Sequence, residues 1–578
     1  MRLPEGESLM RTVLGFLRPY AWRAAAGMAV KFTAALLELT LPSLLAHIID
    51  VCVPAEDLPA IWRAGALMLL LAFAAALCNI TANRMAARVS MEMTRALRRD
   101  LYRKTQALSC AQEDRISLSS LVSRLTNDTY HVHQMYDKIQ RGGIRAPMLV
   151  LGGLTLTFLQ APPLALVQLA VCVLTFLAIW QTTRRSVPRY AQAQEAMDTV
   201  VRVLRENASG VRVIKALACQ GRERARFDRA SRAAREAEEG AGRVMAAANP
   251  ITSFLLNAGL VLVVAAGAAL VNAGQLAPGQ IVAFLSYFAI IQTATLGLAK
   301  IFVKYSKGAA SARRIEEILL APEGQPLRPA AGAAGPELGM EDVSFSYLGV
   351  EQDLKNLSFS LCRGETLGII GPTGSGKSTL AALLLRLYDA GEGTVWVGGR
   401  DVTSVERRAL QGRFGVVFQN EALLNASIYD NISFLRRLPR EDVVAAAKTA
   451  QLWDFVEHLP EGLDTLVDIR GANLSGGQRQ RLLVARALAG RPALLILDGA
   501  DSALDYRTAA ALHAALRRDR PGLTTVLISE RAASLRNADR ILLLENGVIA
   551  AQGSHQQLLK TCERYRRMAE LQAEGVLE

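Results

Sequence analysis

Long apolar runs broken by charged stretches fill the first half of the chain; short apolar blocks between glycine-rich turns fill the second. A helix needs about 20 apolar residues to cross the hydrocarbon core of a bilayer. Spans are predicted at residues 22–51, 60–82, 145–159 with the turns before it, 161–180, 251–271 and 281–303. Ahead of them, residues 10–20 form a short amphipathic stretch. Val13, Leu14, Phe16 and Leu17 can face lipid while Arg11 and Arg18 face headgroups, which predicts a surface-lying helix.

Charge along the same pattern sets orientation. The connection after the second span holds Arg84, Arg88, Arg95, Arg98, Arg99, Arg103 and Lys104; the one after the fourth holds Arg184, Arg185, Arg189, Arg202, Arg205, Arg212 and Lys215. The alternate connections, 51–62, 160–164 and 272–280, contain no Lys or Arg. Basic connections stay on the cytoplasmic side, so the long connections and both termini are expected there. Residues 91–108 and 190–206 are rich in helix formers and poor in breakers. The spans are therefore expected to run well beyond the bilayer, able to carry motion from a soluble domain.

Ionisable groups inside spans are costly and call for a reason. Glu38 lies near mid-span, Lys31 two turns earlier on the same face, and His47 and Asp50 near the outer end. Each is either a cavity-lining substrate or proton contact or a structural partner for a neighbouring helix; the structural reading is preferred for Lys31, His47 and Asp50. Lys300, Lys304 and Lys307 read as helix-end cations.

Composition narrows the class. At 578 residues, 51% hydrophobic and 21% charged, the chain is too long for one domain. The net charge of +13 lies between apolar runs, which points to a membrane surface and away from nucleic acid. Seven cysteines without CxxC pairs read as small apolar fillers, not as a disulfide framework or zinc site. No cleavable signal segment is expected, and the first apolar stretch reads as a retained span. The Pro-, Gly- and Ala-rich stretch 321–339 divides an α-helical six-span membrane domain (1–320) from an α/β domain (340–578).

The second half carries the chemistry. An apolar strand at 366–370 runs into Gly371, Thr373, Gly374, Ser375, Gly376, Lys377, Ser378 and Thr379, and a helical run, 380–387, follows. This is GxxxxGK[ST] between strand and helix, the context of a phosphate-binding P-loop. Its glycines turn backbone amides inward, Lys377 supplies a cation to the β- and γ-phosphates, and Ser378 a magnesium ligand. ATP and Mg2+ are the implied cofactors. Residues 494–497 form a buried strand ending at Asp498, as a strand does at a metal site. Ser475, Gly476, Gly477 and Gln478 follow Asn473-Leu474 and precede a helix at 479–488.

The LSGGQ formed by residues 474–478, with the P-loop, Gln419 in Val-Val-Phe-Gln-Asn and Tyr347 in Phe-Ser-Tyr-Leu, resembles the ATP-binding cassette. The whole chain resembles a half-transporter of the bacterial multidrug-exporter type, the type IV exporter fold, with a six-helix membrane domain ahead of the cassette. Segments 123–128 and 206–215 resemble stretches near that family's coupling helices. The resemblance implies that Tyr347 stacks on adenine, that residues 371–379 hold phosphates, and that Gln419 senses magnesium and the membrane domain. It implies that Asp498 holds magnesium through water and that Asp505 lies at the dimer contact. Two cassettes then bind head to tail, each ATP between one P-loop and the other LSGGQ.

Three positions depart from that pattern. Gly499 stands where the family has its catalytic glutamate, Glu530 where it has a switch histidine, and Ile469 where the stretch before the signature has glutamate. Glycine cannot polarise water, and an ionised carboxylate only accepts hydrogen bonds. Asp501, three residues beyond Asp498, is a poor substitute base because the turn should aim it elsewhere. The pattern resembles the degenerate-site subunit of a heterodimeric exporter, lending its signature to a partner that keeps its own glutamate and histidine. A homodimer with slow ATPase and a nucleotide-gated scaffold are the alternatives. Leu-, Ala- and Phe-rich spans with few buried charges suit hydrophobic or amphipathic cargo: small molecules, lipids or peptides. No peptidase domain is expected ahead of the spans, which argues against peptide processing. A bacterial cytoplasmic membrane is the expected location.

Overall fold

The computed structural model describes residues 13, 15–328, 335–347, 349, 351–419 and 421–574. Arg11 and Leu14 of the expected surface helix, and residues 329–334 of the expected linker, lie outside them. The chain forms two compact units: residues up to Gln106 with Ser119–Ala321, and Ala107–Leu118 with Pro322–Glu578.

In the first unit, six helices among the described residues are long and apolar enough to cross a membrane: Arg18–Cys52, Leu58–Ala107, Leu118–Gln160, Pro162–Ser209, Gln220–Asn272 and Pro278–Leu319. At 35 to 53 residues they far exceed the roughly 20 that a bilayer requires, as the breaker-poor stretches 91–108 and 190–206 predict. Val13 does not face lipid: it is buried, and its carbonyl accepts from the Tyr136 hydroxyl. A short 3-10 turn, Arg18–Tyr20, leads directly into the first long helix, Ala21–His47.

Small residues let these helices approach. A methyl group on Gly153 would meet Ile291 at 2.7 Å, and one on Gly259 would meet Val171 and Phe288 below 3.0 Å. Polar residues inside the spans find partners. Lys31 donates to Asn79 and Asn83 at 2.8 and 3.0 Å. Glu38 takes two bonds from Arg145, at 2.7 and 2.8 Å. Asp50 accepts from the Gly279 amide at 2.5 Å, capping the helix Pro278–Leu319.

The second unit is α/β. One sheet has order β10-β9-β3-β8-β7-β6: β3 (Thr366–Ile370), β6 (Phe414–Val417), β7 (Leu494–Asp498), β8 (Thr524–Ile528), β9 (Arg540–Glu545) and β10 (Val548–Gly553). Strands β9, β3, β8, β7 and β6 run parallel. β7 and β8 are buried along their whole length, as strands covered on both faces must be. An antiparallel sheet, β2-β1-β4-β5, is built from β1 (Leu338–Phe345), β2 (Leu354–Leu361), β4 (Glu392–Val397) and β5 (Arg400–Asp401). The short helix Cys110–Ile116 belongs to this unit. It is capped reciprocally by Ser109 and Gln112, and its Asp114 accepts from the Tyr388 hydroxyl at 2.6 Å.

Candidate functional site

Parallel strands deliver their carboxyl ends to one edge of a sheet, where ligands bind in open α/β folds. Here the loop after β3 is Gly371 to Gly376, Gln419 follows β6, Asp498 ends β7, and Ser529 and Glu530 follow β8. They line one cleft of about 960 Å³. The helix Lys377–Leu384 begins earlier than the apolar run at 380 predicts, because Gly376, at φ +98°, turns the chain directly into it. No side chain caps that helix, so its first amides are left for an external acceptor, and its dipole favours an anion there.

Ser378 donates to Asp498 at 2.6 Å, which brings two of the three residues expected at magnesium together. Lys377 folds its ammonium onto the carbonyls of Gly371 and Pro372, at 2.9 and 2.8 Å. Burial pushes the Lys377 ammonium down, with Glu530 and Asp498 pulling the other way. Burial likewise raises the Asp498 carboxyl, against Ser378 and Lys377. The Ser375 hydroxyl oxygen is buried in the loop without a partner. A buried unpaired donor, uncapped amides and a Ser–Asp pair fit a nucleotide phosphate with its magnesium.

Two of the three departures from the cassette pattern, Gly499 and Glu530, line this cleft; Ile469 does not. Gly499 adopts φ +66°; a methyl there would have room, its nearest neighbour being Gln419 at 3.7 Å. Glu530 accepts from the Thr373 hydroxyl at 3.4 Å and so faces the P-loop. Asp501 is buried and accepts from Ser529 at 2.7 Å. Its carboxylate is thus engaged by Ser529, while the residue itself lines the cleft.

Tyr347 is half-exposed, packs edge-on against Tyr388 with centroids 5.0 Å apart, and donates to Thr379 at 3.3 Å. Ser475 lies elsewhere on the unit. It caps the helix Gly476–Ala489 through a reciprocal pair: the Gln478 amide donates to its hydroxyl and its own amide to the Gln478 side chain. The cleft lining includes none of residues 475–478, so the signature and the P-loop of this chain do not meet in one pocket. Asp505 caps the helix Tyr506–Asp519 by accepting from Thr508 at 2.8 Å.

Several cleft residues escape sequence reasoning, Gln572 and Arg531 among them. Gln572, in the helix Glu563–Glu574, donates to the Glu530 carbonyl at 2.7 Å and accepts from the Ala532 amide at 2.8 Å. Arg531 donates to the Leu504 carbonyl at 3.0 Å and lies over the Tyr506 ring. Arg531 is signalled only by adjacency to Glu530, and Gln572 by nothing local.

Residues 25–295 match the family model for the ABC transporter transmembrane region, and residues 354–502 the ABC transporter model. The Bacillus subtilis (strain 168) protein called uncharacterized ABC transporter ATP-binding protein YfiB is 32% identical over 572 residues, 97% of this chain and 98% of its own. A fatty acid ABC transporter ATP-binding/permease protein of Mycobacterium bovis is 32% identical, over 89% of this chain and 82% of its own. An ATP-dependent lipid A-core flippase of Vibrio vulnificus is 30% identical over 84% of each. A bacterial Atm1-family ABC exporter solved with ATP bound superposes with a TM-score of 0.83 at 24% identity, covering 96% of this chain and 98% of that one, and shares its fold.

Proposed function

The chain belongs to the ABC transporter family, and from that premise we propose that it is one half of a heterodimeric ATP-driven exporter whose own nucleotide site binds ATP but cleaves it poorly. The observation that carries this reading is the wall opposite the P-loop. Gly499 offers no side chain, and Glu530 turns a carboxylate toward Thr373. Loss of a general base typically costs about 10²–10⁴-fold in rate. A carboxylate cannot donate to a γ-phosphate as a histidine does, and when ionised it repels one. Asp501, held by Ser529, is not free to take the role.

The binding machinery is retained. Residues 371–379 and the Lys377 ammonium hold the phosphates, Tyr347 stacks on adenine, and Ser378, Gln419 and Asp498 hold magnesium, which would offset phosphate charge. The signature is intact as well, with Ser475 and Gln478 closing their own cap. It completes a working site on a second half-transporter that keeps its glutamate and histidine and whose own signature departs from LSGGQ. Asp505 lies at that contact. The relatives named for fatty acid and lipid A-core transport support an amphipathic cargo, carried across a bacterial cytoplasmic membrane with the cassette on the cytoplasmic side.

The test is magnesium-ATPase activity of the purified chain, alone and co-expressed with a second half-transporter encoded beside it. Turnover only in the pair is expected. Comparable turnover in the chain alone would refute the reading and make Asp501 the first residue to substitute.

A further inference from the structure

A cavity of about 540 Å³ opens inside the membrane unit, lined from the first, third, fifth and sixth spanning helices. Its wall carries six cations: Lys31, Lys138, Arg141, Arg145, Lys300 and Lys304. No carboxylate lines it among the described residues. Two reach its cations from behind, Glu38 on Arg145 and Asp137 on Arg141, the latter at 2.6 Å. Lys31 is held by two neutral amides, Asn79 and Asn83, and Lys304 by Gln134 at 2.6 Å. Lys138 and Lys300 are exposed and hold no ion pair or hydrogen bond among the described residues. The Nε of Arg145 is buried without a partner. The rest of the wall is mostly small or apolar, including Ala146, Ala294, Gly297 and Ile301.

Helix-end cations normally spread toward lipid headgroups under the positive-inside rule. That reading suits Lys307, which does not line the cavity, but not Lys300 and Lys304, which do. Like charges gathered on a low-dielectric wall repel one another, and intramembrane charges mark functional paths. The volume falls within the roughly 300–1,000 Å³ of small-molecule sites. We propose that this cavity receives the anionic head of the transported substrate, an amphiphile bearing phosphate or carboxylate on an apolar tail. Lys138 and Lys300 are the free cations that meet the head, and the apolar wall meets the start of the tail. The inference rests on the exporter reading and deepens it by assigning a charge to the cargo.

The experiment is equilibrium binding, without ATP, to the full chain in phosphatidylcholine nanodiscs. The probe is pyrene-labelled phosphatidate, with pyrene-labelled phosphatidylcholine as control. Phosphatidate should bind at least tenfold tighter. The double variant Lys138→Gln/Lys300→Gln breaks no bond to another residue and should weaken binding about tenfold, while Lys307→Gln should leave it within about twofold. Equal binding of the two lipids, or an equal loss in Lys307→Gln, would overturn the site. Displacement by glycerol 3-phosphate as readily as by unlabelled phosphatidate would assign the cavity to a soluble anion and overturn the amphiphile. Because no hydrolysis is read, failure here with paired ATPase intact removes the cargo assignment and leaves the exporter reading standing.

Discussion

Two glycine-rich helix starts on the same cassette are built on opposite principles. The helix Lys377–Leu384 begins at Gly376 in the left-handed region with no side-chain cap. Its first-turn amides wait for an acceptor from outside. The helix Gly476–Ala489 begins at Ser475, which with Gln478 satisfies its own amides in a closed box. The first end needs a ligand; the second is complete without one. Around the first, binding and cleavage rest on different groups. In the proposed function, binding rests on backbone amides, Lys377 and the Ser378–Asp498 pair, whereas in the cassette family cleavage rests on two side chains, and at those positions this chain has Gly499 and Glu530. A site assembled this way can lose hydrolysis and keep its nucleotide.

The sharpest way to break that contrast is to damage each end in turn. In the co-expressed pair, Ser475→Ala should lower ATPase by about 10²-fold, the scale of one lost transition-state donor. Lys377→Ala should lower it severalfold at most. Equal losses would put the working site at this chain's own P-loop. Next in size is reconstruction. Gly499→Glu alone should leave the solitary chain's ATPase within about threefold of its starting value, because Glu530 still opposes the γ-phosphate. The substitution also places a side chain at φ +66°, at a cost of about 1–2 kcal/mol. Adding Glu530→His should then raise turnover at least tenfold over the single variant; fast hydrolysis in Gly499→Glu itself would sink the account of Glu530.

Smaller effects sharpen the comparison. Glu530→Gln removes a charge facing the P-loop, so ATP should bind a few times more tightly, with a gain that shrinks as salt screens it. Unchanged affinity in a nucleotide titration would mean that Glu530 swings away from bound phosphate. Gln572→Ala removes two hydrogen bonds from residues 530–532, each worth about 0.5–1.5 kcal/mol. Faster amide exchange in that loop is expected, with little change at the Ser475 cap.

The contrast itself was largely legible in the sequence. GxxxxGK[ST] after an apolar strand and LSGGQ before a helical run are local patterns, and the fold places them where the strand and helix periods require. The six spans were legible for the same reason, since each is a predominantly apolar run, some with polar interruptions. What was not legible depended on approach between distant segments. Glu38 and Arg145 are 107 residues apart, and neither announces the other. The cavity cations come from separate helices, so the pattern read as few buried charges until packing gathered them on one wall. Val13 was misjudged because amphipathicity identifies an apolar face without saying whether lipid or protein covers it.

The bonds from Gln572 to Glu530 and Ala532 bear on how the protein should be handled at the bench. An affinity tag or fluorescent protein fused C-terminal to the helix Glu563–Glu574 would load the loop opposite the P-loop through Gln572. Poor turnover in such a fusion would then report the handle and not the subunit. A cleavable handle, with activity compared before and after its removal, separates the two.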